Sequence, residues 1–150
     1  MKQRFCLIMI IILTLIGCWD SKDIDQRSLV LGVAFDKAEN GQDLVMSIEV
    51  PILGNIKTGD GGGDGEASKI VSTTGTTVSQ MATHFEIRLW RTTFFGHTKI
   101  VAISEEVARE GIWPIIDFFD RNPATDRRLK IIITNGPAKD IFATVNPSEP

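Results

Sequence analysis

Two thiols and two imidazoles are the most reactive side chains in this 150-residue sequence, and one of the four stands in a context that dictates its chemistry. Cys18 closes the run Leu15-Ile16-Gly17-Cys18, behind Lys2, Arg4 and an apolar stretch from Phe5 to Ile16 interrupted only by Thr14. A membrane-crossing helix needs roughly 20 apolar residues, whereas the apolar core of an export signal needs only about 7 to 15. Phe5 to Ile16 falls in the second class. The basic residues hold the chain start on the cytoplasmic side, and Gly17 leaves a peptidase room to reach the bond beyond it. A cysteine directly after that bond marks a lipoprotein signal: a diacylglyceryl group on the sulfur, cleavage before Cys18, then acylation of the new amine by a palmitoyl-type chain. Cys18 is thus predicted to be both an S-diacylglycerol and an N-acyl cysteine, the first residue of the mature protein. Each buried methylene adds about 0.8 kcal/mol of membrane affinity, so two or three chains hold far better than one. The competing readings are a buried core helix with an incidental cysteine and an ordinary cleavable signal. Charge, length, Leu15 and Gly17 together favour the lipid anchor. Cys6 lies inside the apolar run and leaves with residues 1–17.

The remaining reactive groups do not converge. His84 falls off the apolar stripe of its helix and is expected to face solvent or the edge of a contact. His97 precedes an apolar strand and reads as a structural hydrogen-bonding group rather than a catalyst. Metal sites need three or four clustered ligands, and neither a histidine pair at helical spacing nor a spare thiol is present. Asp60 to Val71 fails as a calcium loop: Gly62 stands at the third ligand place and Val71 at the twelfth, where a bidentate glutamate belongs. Neither a phosphate-loop Lys-Ser/Thr pair nor a GxGxxG after a strand occurs. Ser28, Ser47 and Ser79 lack a nucleophile-elbow context. Arg88, Arg91, Arg121, Arg127 and Arg128 read as a solvated face pairing with abundant acids, worth about 0 to 1 kcal/mol per pair, or as an interface. No catalytic, cofactor-binding or metal residue is expected, and the chain reads as non-enzymatic.

These groups hang on one domain's worth of chain. Removal of residues 1–17 leaves 14 basic and 19 acidic residues, a net charge of −5, which argues against nucleic acid as a partner. With Cys6 gone and Cys18 acylated, the core alone must hold the fold. Residues 18–27 read as a polar membrane-proximal tether and 28–150 as the domain. Leu29–Phe35 and Leu44–Val50, flanking a turn with Asn40-Gly41, predict a β-hairpin. The Gly-rich stretch at about 54–68 reads as a flexible loop. Thr77 and Gln80 form a capping box, and Val78, Met81, Ala82, Phe85 and Leu89 recur at helical spacing. Ile100–Ile103 reads as a strand, Ser104 as a helix N-cap, Gly111 as that helix's end and Pro114 as the opening of another. Leu129–Thr134 is a second continuous strand and Ala138–Thr144 a last helix. Two such strands separated by helices predict a buried parallel pair joined by a right-handed crossover. The fold class is α+β: a mixed sheet with an N-terminal hairpin and a βαβ-like C-terminal half packed by helices.

Gly17-Cys18-Trp19-Asp20 followed by Val30-Leu31-Gly32-Val33-Ala34-Phe35-Asp36-Lys37 resembles the start of the Ger(x)C family, the C-subunit lipoproteins of bacterial spore germinant receptors. Thr74-Gly75-Thr76-Thr77, Gly96-His97-Thr98-Lys99, Ser104-Glu105-Glu106-Val107-Ala108-Arg109-Glu110-Gly111 and Asp117-Phe118-Phe119-Asp120-Arg121-Asn122 follow in the family's order. His97 and Arg121 lie in these segments and are marked as structural or interface positions. The resemblance implies attachment to the outer face of the spore inner membrane through the Cys18 lipid. It also implies integral-membrane A and B subunits as partners, and a part in nutrient-triggered germination. Family members are more than twice this length, so the chain reads as an N-terminal piece. A lipid-anchored solute-binding protein is the alternative, although it needs a cleft that usually lies between two domains.

Overall fold

The computed structural model describes residues 27–52 and 67–145, with side chains as far as Ala143. Among the described residues, seven strands and four helices follow one another. They are β1 (Arg27–Leu29), β2 (Gly32–Lys37), β3 (Leu44–Pro51), β4 (Ser68–Gly75), α1 (Val78–Leu89), β5 (Thr92–Phe94), β6 (Ile100–Ser104), α2 (Glu105–Glu110), α3 (Trp113–Arg121), β7 (Lys130–Thr134) and α4 (Ile141–Val145). Short 3₁₀ turns at Phe95–His97 and Ala138–Asp140 precede β6 and α4. Five strands form one mixed sheet in the order β4-β3-β2-β6-β7, and β1 and β5 form a separate parallel pair. The expected α+β class and early hairpin are both present. β2 and β3 pair antiparallel from Lys37 opposite Leu44 to Gly32 opposite Glu49, and β6 pairs parallel with both β2 and β7.

Alternation along the strands divides the sheet into two faces. Val33, Phe35, Met46, Ile48, Val101 and Ile103 point to one face and are fully buried. There they pack with Val78, Met81 and Phe85 of α1 and with Ile115 and Phe119 of α3. Rings of Phe35, Phe95, Phe118 and Phe119 meet edge-to-face at centroid distances from 5.2 to 6.5 Å, the geometry their quadrupoles favour. On the opposite face Ala34 and Ala102 lie against Ala138 and Phe142. The side chains there are small, so the C-terminal helix lies close to the sheet. A Cβ on Gly32 would sit 2.6 Å from Cε1 of Phe142.

Local chemistry explains most element ends. Thr77 Oγ1 accepts from the Gln80 amide at 3.2 Å, as the capping box requires, but Gln80 Oε1 reaches one residue further back, to the Thr76 amide at 3.3 Å. In the hairpin turn Asn40 Oδ1 accepts from the Gln42 and Asp43 amides, each at 3.0 Å, and Gly41 takes φ 67°. Gly111 ends α2 and Pro114 lies in the first turn of α3.

Several boundaries differ from the sequence reading. Leu29–Phe35 is two strands, because the Val30 amide bonds to the Phe94 carbonyl at 3.1 Å while Leu31 turns to the Glu49 carbonyl at 2.9 Å. The pairing partner changes between neighbouring residues. Arg27, placed in the tether, opens β1. Ser68, placed in the Gly-rich loop, opens the edge strand β4, whose Ser- and Thr-rich sequence carries little apolar signal; residues 54–66 lie outside the described residues. Ser104 stands at the N-cap of α2, but its hydroxyl is buried without a hydrogen-bond partner. β7 is parallel to β6 as expected, yet it is not buried: Ile131 and Ile133 are 43% and 57% exposed. Their partners Val101 and Ile103 are covered on the same face, so the cover stops one strand short of the sheet edge.

Candidate functional site

Cys18, residues 1–17 and the tether up to Gln26 lie outside the described residues, which begin at Arg27. The first described element is β1. Parallel pairing sets Arg27 beside Thr92, so the residues before β5 share that end of the domain. Because β3 runs antiparallel to β2 and β4 to β3, Pro51 and Ser68 also lie at that end. A cleft of about 400 Å³ there is lined by Ser28, Pro51, Ile52, Lys69, Leu89 and Arg91.

Among the described residues, Arg27, Lys69 and Arg91 lie at this end. The Arg27 guanidinium lies 5.1 Å from the centroid of the Phe94 ring, a cation–π contact. Arg88 donates from Nη1 to the Ser72 carbonyl at 2.6 Å. Trp90 closes α1 in the left-handed backbone region, φ 53°, with its side chain 92% exposed, and Ile87 one turn earlier is 66% exposed. Two acids lie nearby. Glu49 is buried and accepts from Ser68 Oγ at 2.7 Å, and Glu86 accepts from Thr93 Oγ1 at 3.4 Å.

The two other marked residues are placed separately. His97 is exposed in the 3₁₀ turn, its ring edge-on to Phe94 at 5.8 Å. The buried hydrogen bond of this segment belongs to its neighbour: Thr98, fully buried, donates from Oγ1 to the Val30 carbonyl at 3.1 Å and ties β6 to the β1–β2 junction. Arg121, at the end of α3, lines a cleft of about 600 Å³ with Thr76, Thr77 and Ser79 of the α1 N-terminus; His97 is not part of it. Its Nε donates to Asp117 at 2.8 Å, and that bond and charge, with Asp120 adding to them, hold the guanidinium above its ordinary pKa. This is an exposed pair, a positioning contact more than a source of stability. His84 is half-buried on α1.

A third cleft, about 340 Å³, lies between α3 and β7 and is lined by Ile116, Phe119, Leu129 and Ile131 with Asp126 and Arg127 at its edge. Asp126 sits below the usual carboxylate range because it accepts the Arg128 amide at 3.0 Å and then Lys99 Nζ at 3.3 Å. Among the described residues no group of three His, Cys, Asp or Glu side chains is placed to hold a metal ion.

One structurally important position escaped the sequence altogether. Asp36 accepts from the Ala138 amide at 2.5 Å and the Lys139 amide at 3.1 Å, capping the turn that leads into α4 from 102 residues away. Capping rules look at neighbours in sequence, and nothing local to Asp36 or Ala138 announces this bond. Together with Gly32, Asp36 fixes where the C-terminal helix lies.

The family described as spore germination protein N-terminal domain matches residues 20–150. Among curated proteins of Bacillus subtilis strain 168, spore germination protein A3 is 34% identical over 153 aligned residues, covering 100% of this chain and 40% of that protein. A protein provisionally named for spore germination, YfkR, is 32% identical over 140 residues, covering 91% of this chain and 36% of its own length. Spore germination protein KC is 26% identical over 127 residues, covering 79% and 31% respectively. The chain thus spans well under half the length of these relatives. No solved structure matches it.

Proposed function

Since the chain belongs to the Ger(x)C family of spore germination proteins, we propose that it acts in spore germination as a lipid-anchored, extracytoplasmic and non-enzymatic subunit of a nutrient germinant receptor. The observation that carries this reading is the match of residues 20–150 to the family's N-terminal domain, beginning two residues after the lipobox cysteine. Cys18 is the lipidated residue in this account, and the sequence before it supplies the basic start, the short apolar run and the small residue that processing needs. The anchor holds the domain on the outer face of the spore inner membrane, where integral-membrane A and B subunits are its partners. His97 and Arg121 serve structure or interface, consistent with their exposure and with ring and ion-pair contacts instead of a convergent acid, base and nucleophile.

Membrane partition tests the anchor. Cys18→Ala is expected to move the chain from the detergent phase to the aqueous phase of a cloud-point separation. Retention of the variant with the membrane as strongly as the parent would return Phe5 to Ile16 to the status of a span.

A further inference from the structure

We infer that β7 is a self-association edge: a second copy of this chain adds its own β7 antiparallel to it, setting Ile131 of each copy opposite Ile133 of the other about a two-fold axis at Ile132. The pairing does not depend on a lipid at Cys18.

The edge itself calls for a strand. β7 closes the five-stranded sheet on one side, and its Lys130 amide donates inward to the Lys99 carbonyl at 3.0 Å. Alternation along a parallel ladder then turns Lys130, Ile132 and Thr134 towards β6 and leaves the N–H and C=O groups of Ile131 and Ile133 pointing outwards. Natural sheet edges are blunted by charge, proline or a bulge. The other edge, β4, is rich in serine and threonine and carries Lys69. β7 instead runs Lys130-Ile131-Ile132-Ile133-Thr134 in unbroken register with β6, without proline or bulge. A lipid or a small apolar molecule could cover the exposed Ile131 and Ile133, but it would leave their backbone groups unpaired.

Further observations select a second copy as the source of that strand. The outward groups belong to two residues that flank Ile132, so an antiparallel copy centred there meets each donor with an acceptor. Ile131 and Ile133 of both copies then share one face, beside a cleft of about 340 Å³ that Ile131 lines with Ile116, Phe119 and Leu129. Charge fixes the direction. At the start of β7, Asp126 is taken by Lys99 and Arg128, and Arg127 and Lys130 have no ion pair among the described residues. At its end Thr134 adjoins Ser104, which is followed by Glu105, paired with Arg109, and by Glu106, which has no ion pair among the described residues. Antiparallel pairing sets Lys130 of one copy opposite Thr134 of the other and brings the basic start against the acidic end; parallel pairing would set like against like. The last described helix, α4, lies on the opposite face of the sheet against Ala34 and Ala102, so a segment continuing from Val145 sets out away from Ile131 and Ile133. A five-residue edge offers less than the roughly 800 Å² per partner of a stable interface, so the pair is weak and grows with concentration.

The test reads the register by disulfide cross-linking of the full chain in a Cys6→Ala, Cys18→Ala background, which has no other thiol. Ile132→Cys meets its own copy across a non-hydrogen-bonded pair, where Cα atoms stand about 4.5 Å apart, within disulfide reach. Lys130→Cys is displaced from its counterpart by about 14 Å along the strands at about 3.4 Å per residue, and it is bridged only when mixed with Thr134→Cys. Under mild oxidation Ile132→Cys is expected to dimerise at least about tenfold faster than Lys130→Cys alone, with the mixed pair restoring the fast rate and the yield rising with concentration. Ile133→Pro removes an outward N–H and spares the β6 ladder, so it should abolish the link at 132. Ile131→Lys with Ile133→Lys, both on exposed side chains, should do the same while circular dichroism stays unchanged. Equal rates at 130 and 132, or a link that survives these substitutions, overturns the pairing. So does a position 132 that stays unlinked across the concentration series, or that links to a different polypeptide, which assigns the edge to another partner.

Discussion

Gly32→Ala should destabilise the domain, and the reason lies more than a hundred residues away in sequence. The backbone at Gly32 is ordinary strand, outside the left-handed region, so alanine can adopt it freely. On that ground alone the substitution would stabilise the fold by about 0.4 to 1 kcal/mol, because alanine has less conformational freedom to lose. Against this stands the new methyl, 2.6 Å from Cε1 of Phe142 and 3.4 Å from two further ring atoms. Phe142 is itself buried between the sheet and Ala138 and has little room to retreat. Inserting a methyl into such a site costs about 1 to 3 kcal/mol. The net expectation is a loss of about 1 to 2 kcal/mol, read as a lower urea midpoint at unchanged m-value. Phe142→Leu reverses the sign. With the aromatic edge gone, Gly32→Ala should become neutral or stabilising by several tenths of a kcal/mol, giving a coupling of about 1 to 3 kcal/mol between the two positions. An alanine at 32 that costs the same in both backgrounds, or nothing with Phe142 present, would refute the argument that this glycine exists to admit the C-terminal helix.

Asp36→Ala removes the acceptor for the Ala138 and Lys139 amides and should cost about 1 to 2 kcal/mol, with a larger rise in amide exchange rate at those two residues than elsewhere in the domain. Trp90→Gly relieves the left-handed C-cap and should raise stability by about 1 kcal/mol in denaturant unfolding. Asp126 has a folded pKa below its ordinary value near 3.8, so its contribution is complete above that value and is lost as pH falls through the lowered one. Asp126→Asn should therefore flatten the acid side of a plot of melting temperature against pH without changing its form above about pH 5.

How far the fold could be read from sequence depended on whether the cause of each element was local. α1 was legible because Thr77 caps it and Val78, Met81 and Phe85 recur on one face. The hairpin was legible because Asn40-Gly41 sits between apolar strands, and the β6–β7 pair because helices separate two apolar runs. β4 was missed: as an edge strand of serines and threonines it shows only weak apolar alternation. β1 and β5 were missed because three residues are too few to carry a period, and their pairing depends on a switch of partners at Val30 and Leu31. Among candidate sites, Cys18 could be read because its whole signal is contiguous. Thr98 and Asp36 could not, since their bonding partners lie 68 and 102 positions away in sequence.

The central claim, that Cys18 anchors a germination subunit, is tested most directly in spores. Spores whose only copy of this chain, in its native context, carries Cys18→Ala are compared with wild-type and gene-deleted spores for loss of optical density after nutrient addition. The account predicts a response reduced to that of the deletion for the nutrient this receptor serves, with the variant absent from the spore inner membrane. A wild-type response from spores whose variant protein is no longer membrane-bound would contradict it.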